Sequence, residues 1–397
     1  MALQQGQRVL KENIDWLTMD KGTFDSLSEE AKKVLVVYPD ELKGSAHDYQ
    51  NVHQGVSMEL VPLQSIFDTY AMGQSDPHSI AKAIEARTQK WGHEPPLVIL
   101  WGDGHLNYRG IGNDKQNLLP PVLKATGFGL YPNDSALVNN AVVARIPVRD
   151  ELEGAAYLER LRTYKENVGQ SHVDRLTLVG EGDSDFQKQM EIVTEGNMPF
   201  SLSEASLGNP LEFQNKIGEF QEVFYLGHAG LTHLGQTAWL AAQDFSPLHA
   251  PIWIGGTCLV NAYSFPGDIE SFGESLIRDG NTLLSIAPSS PKRTKENMEG
   301  LVDWVEADNE KPGRVYEKIA KSPILKRDFV ILGDPLLPLT FTNQGFFDDG
   351  LHEDARNDEP TLSKTGGCQF SSQNKSNGLF ILWGIMLLGW RRRTHNS

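Results

Sequence analysis

From Val34 onward, short β-branched and apolar runs alternate with stretches of helical period. That alternation confines the chain to an α/β architecture: a mostly parallel sheet flanked by helices. Expected strands are Val34–Val37, Glu59–Pro62, Leu97–Trp101, Val142–Ile146, Leu176–Gly180, Val223–Leu226, Ile252–Gly255 and Thr282–Ile286. Expected helices are Pro77–Trp91, Asp150–Asn167, Phe186–Thr194, Leu211–Phe220, Gln236–Gln243, Glu270–Asp279 and Gly313–Lys321. The Asp150–Asn167 segment opens on acids, as a helix N-terminus favours. The pattern ends at Ile331-Leu332-Gly333-Asp334-Pro335, where Gly-Asp-Pro reads as a structural turn.

These limits define one domain over residues 33–341. Residues 1–32 are a polar lead-in or the remnant of an upstream region, 342–366 an acidic linker, and 367–397 a tail. Within the linker, Asp348–Glu359 is acid-rich and almost without apolar residues, which reads as disorder. A length of 397 residues accommodates one large α/β domain or two ordinary ones. The net charge of −16 argues against nucleic-acid binding, which needs a basic footprint. Two cysteines rule out a disulfide scaffold.

The chemistry concentrates in two runs. Phe224-Tyr225-Leu226-Gly227-His228-Ala229-Gly230 and Ile252-Trp253-Ile254-Gly255-Gly256-Thr257-Cys258 each place a reactive side chain just beyond an expected buried strand. Cys258 is the only cysteine before Cys368, so it has no obvious disulfide partner. Alone it would read as a core cysteine, and His228 alone as a turn histidine. Placed together at strand ends, where open α/β sheets build their sites, they read as a nucleophile and its base. A thiol needs such activation because it is mostly protonated near neutral pH. His228 and His233 lack the spacing of a helical zinc pair, and no His-Glu-x-x-His run is present. No Gly-x-Ser-x-Gly elbow or phosphate loop appears either. Asp103, in Trp101-Gly102-Asp103-Gly104, reads either as an orienting or ion-binding carboxylate at the site edge or as a self-bonded turn residue. Asp183 and Asp185 read either as ligands for calcium or a basic side chain, or as an N-cap.

Several segments in one order resemble the gingipain-type cysteine peptidases, the C25 peptidase family, on a caspase-like (caspase–hemoglobinase) fold. They are Leu97–Gly110, Asn133-Asp134, Ala144–Glu151, Tyr225–Gly230, Trp239, Pro251–Cys258, Phe272–Ile277 and Leu332–Leu337. The resemblance implies a cysteine-type endopeptidase acting on proteins or peptides, with Cys258 as nucleophile and His228 as general acid/base. It also implies an oxyanion site from backbone N–H groups around Cys258, Gly256, Ala229 and Gly230. A thiol mechanism requires no organic cofactor. The resemblance admits a structural calcium ion, with no ligand set readable in the sequence. Two departures stand out: Ala229 occupies a position usually held by glycine, and Leu259-Val260-Asn261-Ala262 lacks the glycine often found after the cysteine. They motivate an alternative, a catalytically inactive surface binding protein on the same fold. A transpeptidase using the same thioester is another. Asp183, Asp185 and Asp268 are candidates to line a pocket for Arg or Lys.

The tail resembles bacterial C-terminal sorting signals. Gly366-Gly367-Cys368 precedes an apolar run, Gly378–Trp390, and then Arg391-Arg392-Arg393. The run is short for a spanning helix, and the arginines would hold its end on the cytoplasmic side. The expected partners are therefore the export machinery, the membrane and an intramembrane tail-processing enzyme, with a cell-surface or secreted product. The first residues carry no basic-then-apolar export signal, so the expectation is a true start upstream of Met1.

Overall fold

The computed structural model describes residues 34–92, 96–107, 117–127, 129–138, 141–167, 175–179, 186, 201–203, 222–235, 240–241, 251–264, 269–278, 282–291, 299–304 and 314–338. In chain order the elements are β1 (Val34–Tyr38), α1 (Lys43–Val52), β2 (Met58–Pro62), α2 (Leu63–Ala71), α3 (His78–Trp91) and β3 (Leu97–Trp101). A hairpin of β4 (Leu123–Thr126) and β5 (Gly129–Pro132) follows, then β6 (Val142–Ile146), α4 (Glu151–Asn167), β7 (Arg175–Val179) and β8 (Ser201–Ser203). Next come β9 (Glu222–Leu226), β10 (His233–Leu234), β11 (Leu240–Ala241), β12 (Ile252–Gly256) and α5 (Phe272–Arg278). The last are β13 (Leu284–Ala287), α6 (Val315–Lys321), α7 (Pro323–Asp328) and β14 (Val330–Gly333). Among the described residues no helix is long and apolar enough to cross a membrane.

The main sheet has ten strands in the order β2-β1-β3-β6-β14-β13-β12-β9-β7-β8. Its central strands are buried on both faces, as parallel strands under helices must be. Alternate residues supply the two faces. Val34, Val36, Ile99, Trp101, Val142 and Ala144 join one apolar cluster, while Leu35, Val37, Val98, Leu100 and Val143 join the other.

One step breaks the parallel run: β13 and β14 are antiparallel, while β14 is parallel to β6. The half containing β1, β2, β3, β6 and β14 therefore runs opposite to the half containing β7, β8, β9, β12 and β13. Each half turns the carboxyl ends of its strands to a different edge. The sheet is mostly parallel, as expected, with one antiparallel step where the last described strand enters between the halves in the reverse sense to β13. Gly333 ends that strand at φ +100°, and a Cβ there would lie 2.1 Å from the Leu283 carbonyl oxygen, so only glycine fits.

Each expected strand is present within a residue or two where described. The expected helix Gln236–Gln243 is contradicted at Leu240–Ala241, which pairs antiparallel with His233–Leu234. Local apolar spacing suggested a helix there, and non-local pairing prevailed. The Leu211–Phe220 helix lies outside the described residues, as does Phe186–Thr194 beyond Phe186.

The Gly-Asp-Pro turn is more than punctuation. Asp334 is fully buried and accepts hydrogen bonds from the Tyr49 hydroxyl (2.7 Å) and the Leu336 amide (2.9 Å), with His53 Nε2 at 2.8 Å. Burial alone would push its carboxyl up. The His53 charge and the three hydrogen bonds outweigh that and hold it below the ordinary carboxylate value. A depressed carboxyl contributes stability above the unfolded pKa and loses it as pH falls through the folded value. Urea unfolding should therefore show stability falling steeply with acid below about pH 4. Asp334→Asn should flatten that slope, and equal slopes in the two proteins would remove Asp334 as its cause.

Candidate active site

His228 and Cys258 follow neighbouring parallel strands. In the β9–β12 ladder Leu226 pairs with Gly256, so each side chain stands two residues beyond the last matched pair. Adjacent strands lie about 4.8 Å apart, so the two residues leave the sheet at equivalent points of the same edge. That is the juxtaposition expected from the sequence, and here it follows from register.

The His228 loop is a tight hairpin. Gly235 N–H donates to the His228 carbonyl (2.8 Å), Gly230 N–H donates to the His233 carbonyl (2.9 Å), and Ala229 bridges Leu234. The Tyr225 hydroxyl also donates to the His228 carbonyl, at 2.7 Å, while Phe186 stands edge-on to the imidazole with ring centroids 5.0 Å apart. His228 is only partly buried, whereas Cys258 is 1% exposed.

The two departures resolve differently. Among described non-glycine residues, positive φ occurs at Met72 and Leu259. Ala229 is not among them, so its methyl group carries no left-handed strain. Leu259, immediately after Cys258, has φ +61°. A leucine there costs on the order of 1–2 kcal/mol. The missing glycine thus matters after the cysteine rather than after the histidine. Of the expected oxyanion donors, Gly230 already spends its N–H on His233. Gly256 is held to glycine by packing, since a Cβ would come within 2.7 Å of Leu301 and 2.9 Å of Leu226.

Asp103 does not reach this edge. It follows β3, whose half of the sheet runs the other way, so the expected place at the site edge is corrected by the β13/β14 reversal. Its carboxylate meets Arg278 at 2.6 Å and accepts the Gly104 N–H at 2.8 Å. Arg278 also meets Glu270 (3.1 Å) and Glu274 (3.6 Å). Burial pushes the Glu274 carboxyl up to about 8, with Arg278 opposing and Asp103 adding to the rise. Helix α5 connects this cluster to the site. Its first residues donate N–H groups to both reactive loops, Phe272 to Leu231 (2.6 Å) and Gly273 to Val260 (2.8 Å). Asp183, Asp185 and Asp268 lie outside the described residues, as do Gly366, Gly367 and Cys368. Among the described residues no group of three or more His, Cys, Asp or Glu is placed to hold a metal ion.

A buried charge pair that the sequence did not reveal is tied to the segment after Cys258. Arg145 forks onto Asp134 (2.8 and 3.2 Å) and donates to the Gly102 and Leu119 carbonyls (2.9 and 2.7 Å). The Tyr263 hydroxyl donates to the same carboxylate at 2.6 Å, and its ring lies 4.7 Å from the guanidinium. Burial disfavours the Arg145 charge, but Asp134 overcomes this and holds the guanidinium protonated. Tyr263 thereby anchors the segment that follows the cysteine.

The sequence profile of peptidase family C25 matches residues 27–340. The chain belongs to peptidase family C25. Among solved structures, a protease aligns at TM-score 0.58 and 13% identity, over 78% of this chain and 78% of that one. At that identity the likeness is one of fold. Dimeric latent PorU from Porphyromonas gingivalis aligns at TM-score 0.41 and 12% identity, covering 77% of this chain and 30% of that one. Among curated proteins none matches significantly. The C25 domain here is thus an α/β, caspase-like, mostly parallel sheet flanked by helices. Family membership supports a cysteine peptidase acting on protein or peptide substrates.

Proposed function

We propose that this chain is a cysteine endopeptidase in which Cys258 is the nucleophile and His228 the general acid/base. The observation that carries the reading is the matched register of the two residues beyond Leu226 and Gly256 in a C25 chain. The reduced Cys258 thiolate attacks the peptide carbonyl and forms a C–S bond. The carbonyl electron pair moves to oxygen, where backbone N–H groups of Cys258 and Ala229 receive it. The C–N bond then breaks as His228 gives its proton to the leaving amine. Water, losing a proton to His228, attacks the thioester, and the acid and free thiol are released. The unstrained backbone at Ala229 favours this reading over an inactive binding protein.

The proposal extends to an exported protein held at the cell surface, or released, through a processed tail. Its support is the order of Gly366-Gly367-Cys368, the apolar run and Arg391-Arg392-Arg393. The test is labelling of the full-length reduced protein with a panel of peptidyl acyloxymethyl ketones. Labelling should map to Cys258 and vanish in Cys258→Ala, and the preferred peptide would give the substrate class. Equal labelling of wild type and Cys258→Ala would end the assignment. An amide product formed with added amine would instead mark a transpeptidase.

A further inference from the structure

Between Cys258 and Ser264 the chain forms no helix or strand, yet every residue except Leu259 is buried. Something other than a ladder must hold it. The backbone supplies four ties: Ala262 N–H to Leu259 carbonyl (3.1 Å), Asn261 N–H to Pro288 carbonyl (3.2 Å), Gly273 N–H to Val260 carbonyl (2.8 Å) and Leu106 N–H to Ser264 carbonyl (2.9 Å). Two side chains add to these: the Tyr263 hydroxyl on Asp134 near the far end of the segment, and Asn261 nearer the cysteine. Asn261 is fully buried, and its Nδ2 donates to the carbonyls of Ser285 (3.0 Å) and Val330 (2.8 Å). Its Oδ1 accepts from the Ser285 hydroxyl at 2.9 Å. Two carbonyl acceptors fix which end of the amide is nitrogen, and both N–H groups and the oxygen are used. The amide thus links the loop to β13 and β14 at once. Gly273 makes room for it, because a Cβ there would lie 1.9 Å from Asn261 Oδ1.

We propose that Asn261 is the positioning residue of the Cys258 nucleophile. Its amide braces the loop against β13 and β14 and so holds Leu259 in the left-handed turn that sets the thiol's direction. Leucine does not adopt that backbone unaided, and the amide lies two residues further along the same turn. This inference rests on the reading of Cys258 as the nucleophile.

The test measures kinact and Ki for a peptidyl acyloxymethyl ketone on full-length reduced protein. Asn261→Ala should lower kinact about ten- to a hundredfold, the range for a misplaced reacting group, with Ki little changed. Adding Leu259→Gly to Asn261→Ala should restore most of the rate, since glycine takes the left-handed turn without a brace. A merely structural asparagine would lower the melting temperature in both variants and give no such recovery. If Asn261→Ala does not fold, Ser285→Ala and Ser285→Ala/Leu259→Gly are read in the same way. An unchanged kinact in the single variant, or no recovery in the double, overturns the proposal while leaving the peptidase reading intact. An unlabelled wild type overturns that reading and the role of Asn261 with it.

Discussion

His228→Ala is expected to slow acylation of Cys258 by about 10²–10⁴-fold, the usual contribution of a positioned acid or base. The register argument demands a large effect, because His228 is the side chain that leaves β9 at the point matching Cys258 on β12. The pH profile should change as well. Without a positioned base the thiol loses its activation near neutral pH, so the variant's rate should depend on pH differently from that of the wild type. Tyr225→Phe is the control. It removes one hydrogen bond to the His228 carbonyl, leaves the imidazole in place, and should cost less than about tenfold. Stopped-flow labelling with a peptidyl ketone across pH would measure both, and a flat comparison between wild type and His228→Ala would remove the dyad.

The second large effect is on stability. Arg145→Met leaves the Asp134 carboxylate buried without its counter-charge, and chemical denaturation should show a loss of about 3–5 kcal/mol. The double variant Arg145→Met/Asp134→Leu removes both charges and should recover much of that loss, because two desolvation penalties disappear with the pair. Additive losses in the double variant would mean that the two residues act separately, against the forked geometry. Tyr263 donates to the same carboxylate, so the single variant should also loosen the segment after Cys258.

How much of this was legible in the sequence depended on whether the information was local. Runs such as Val-Leu-Val-Val-Tyr and Leu-Val-Ile-Leu-Trp announce strands buried on both faces, and His228 and Cys258 just beyond two other such runs announce a candidate site. Helix α1 was not legible. Its Lys-Gly-Ser-Ala-His-Asp-Tyr-Gln-Asn-Val sequence is poor in strong helix formers, and its N-terminus is satisfied from elsewhere. The Glu151 carboxylate accepts the Gly44 and Ser45 N–H groups, each at 2.7 Å, from more than a hundred residues away. The acids expected to favour their own helix thus also serve another. Strand β14 read as a turn because Gly-Asp-Pro hides the short apolar run before it, and no local signal tells that this run enters the sheet centre. In the candidate site, the placement of His228 and Cys258 beyond neighbouring strands was legible. Asn261, the Asp134–Arg145 pair and the left-handed Leu259 were not, since each acquires its meaning from partners on other elements.

The position of β14 also fixes an order of events. Among the described strands, the one joining the two halves of the sheet is the last to be made, and it is the one whose Val330 carbonyl receives the Asn261 amide. A nascent chain that has exposed both His228 and Cys258 still lacks the strand that closes the sheet around them. During synthesis the thiol loop remains unbraced until residue 330 and its neighbours emerge. Closure of the sheet and bracing of the Cys258 loop become a single event.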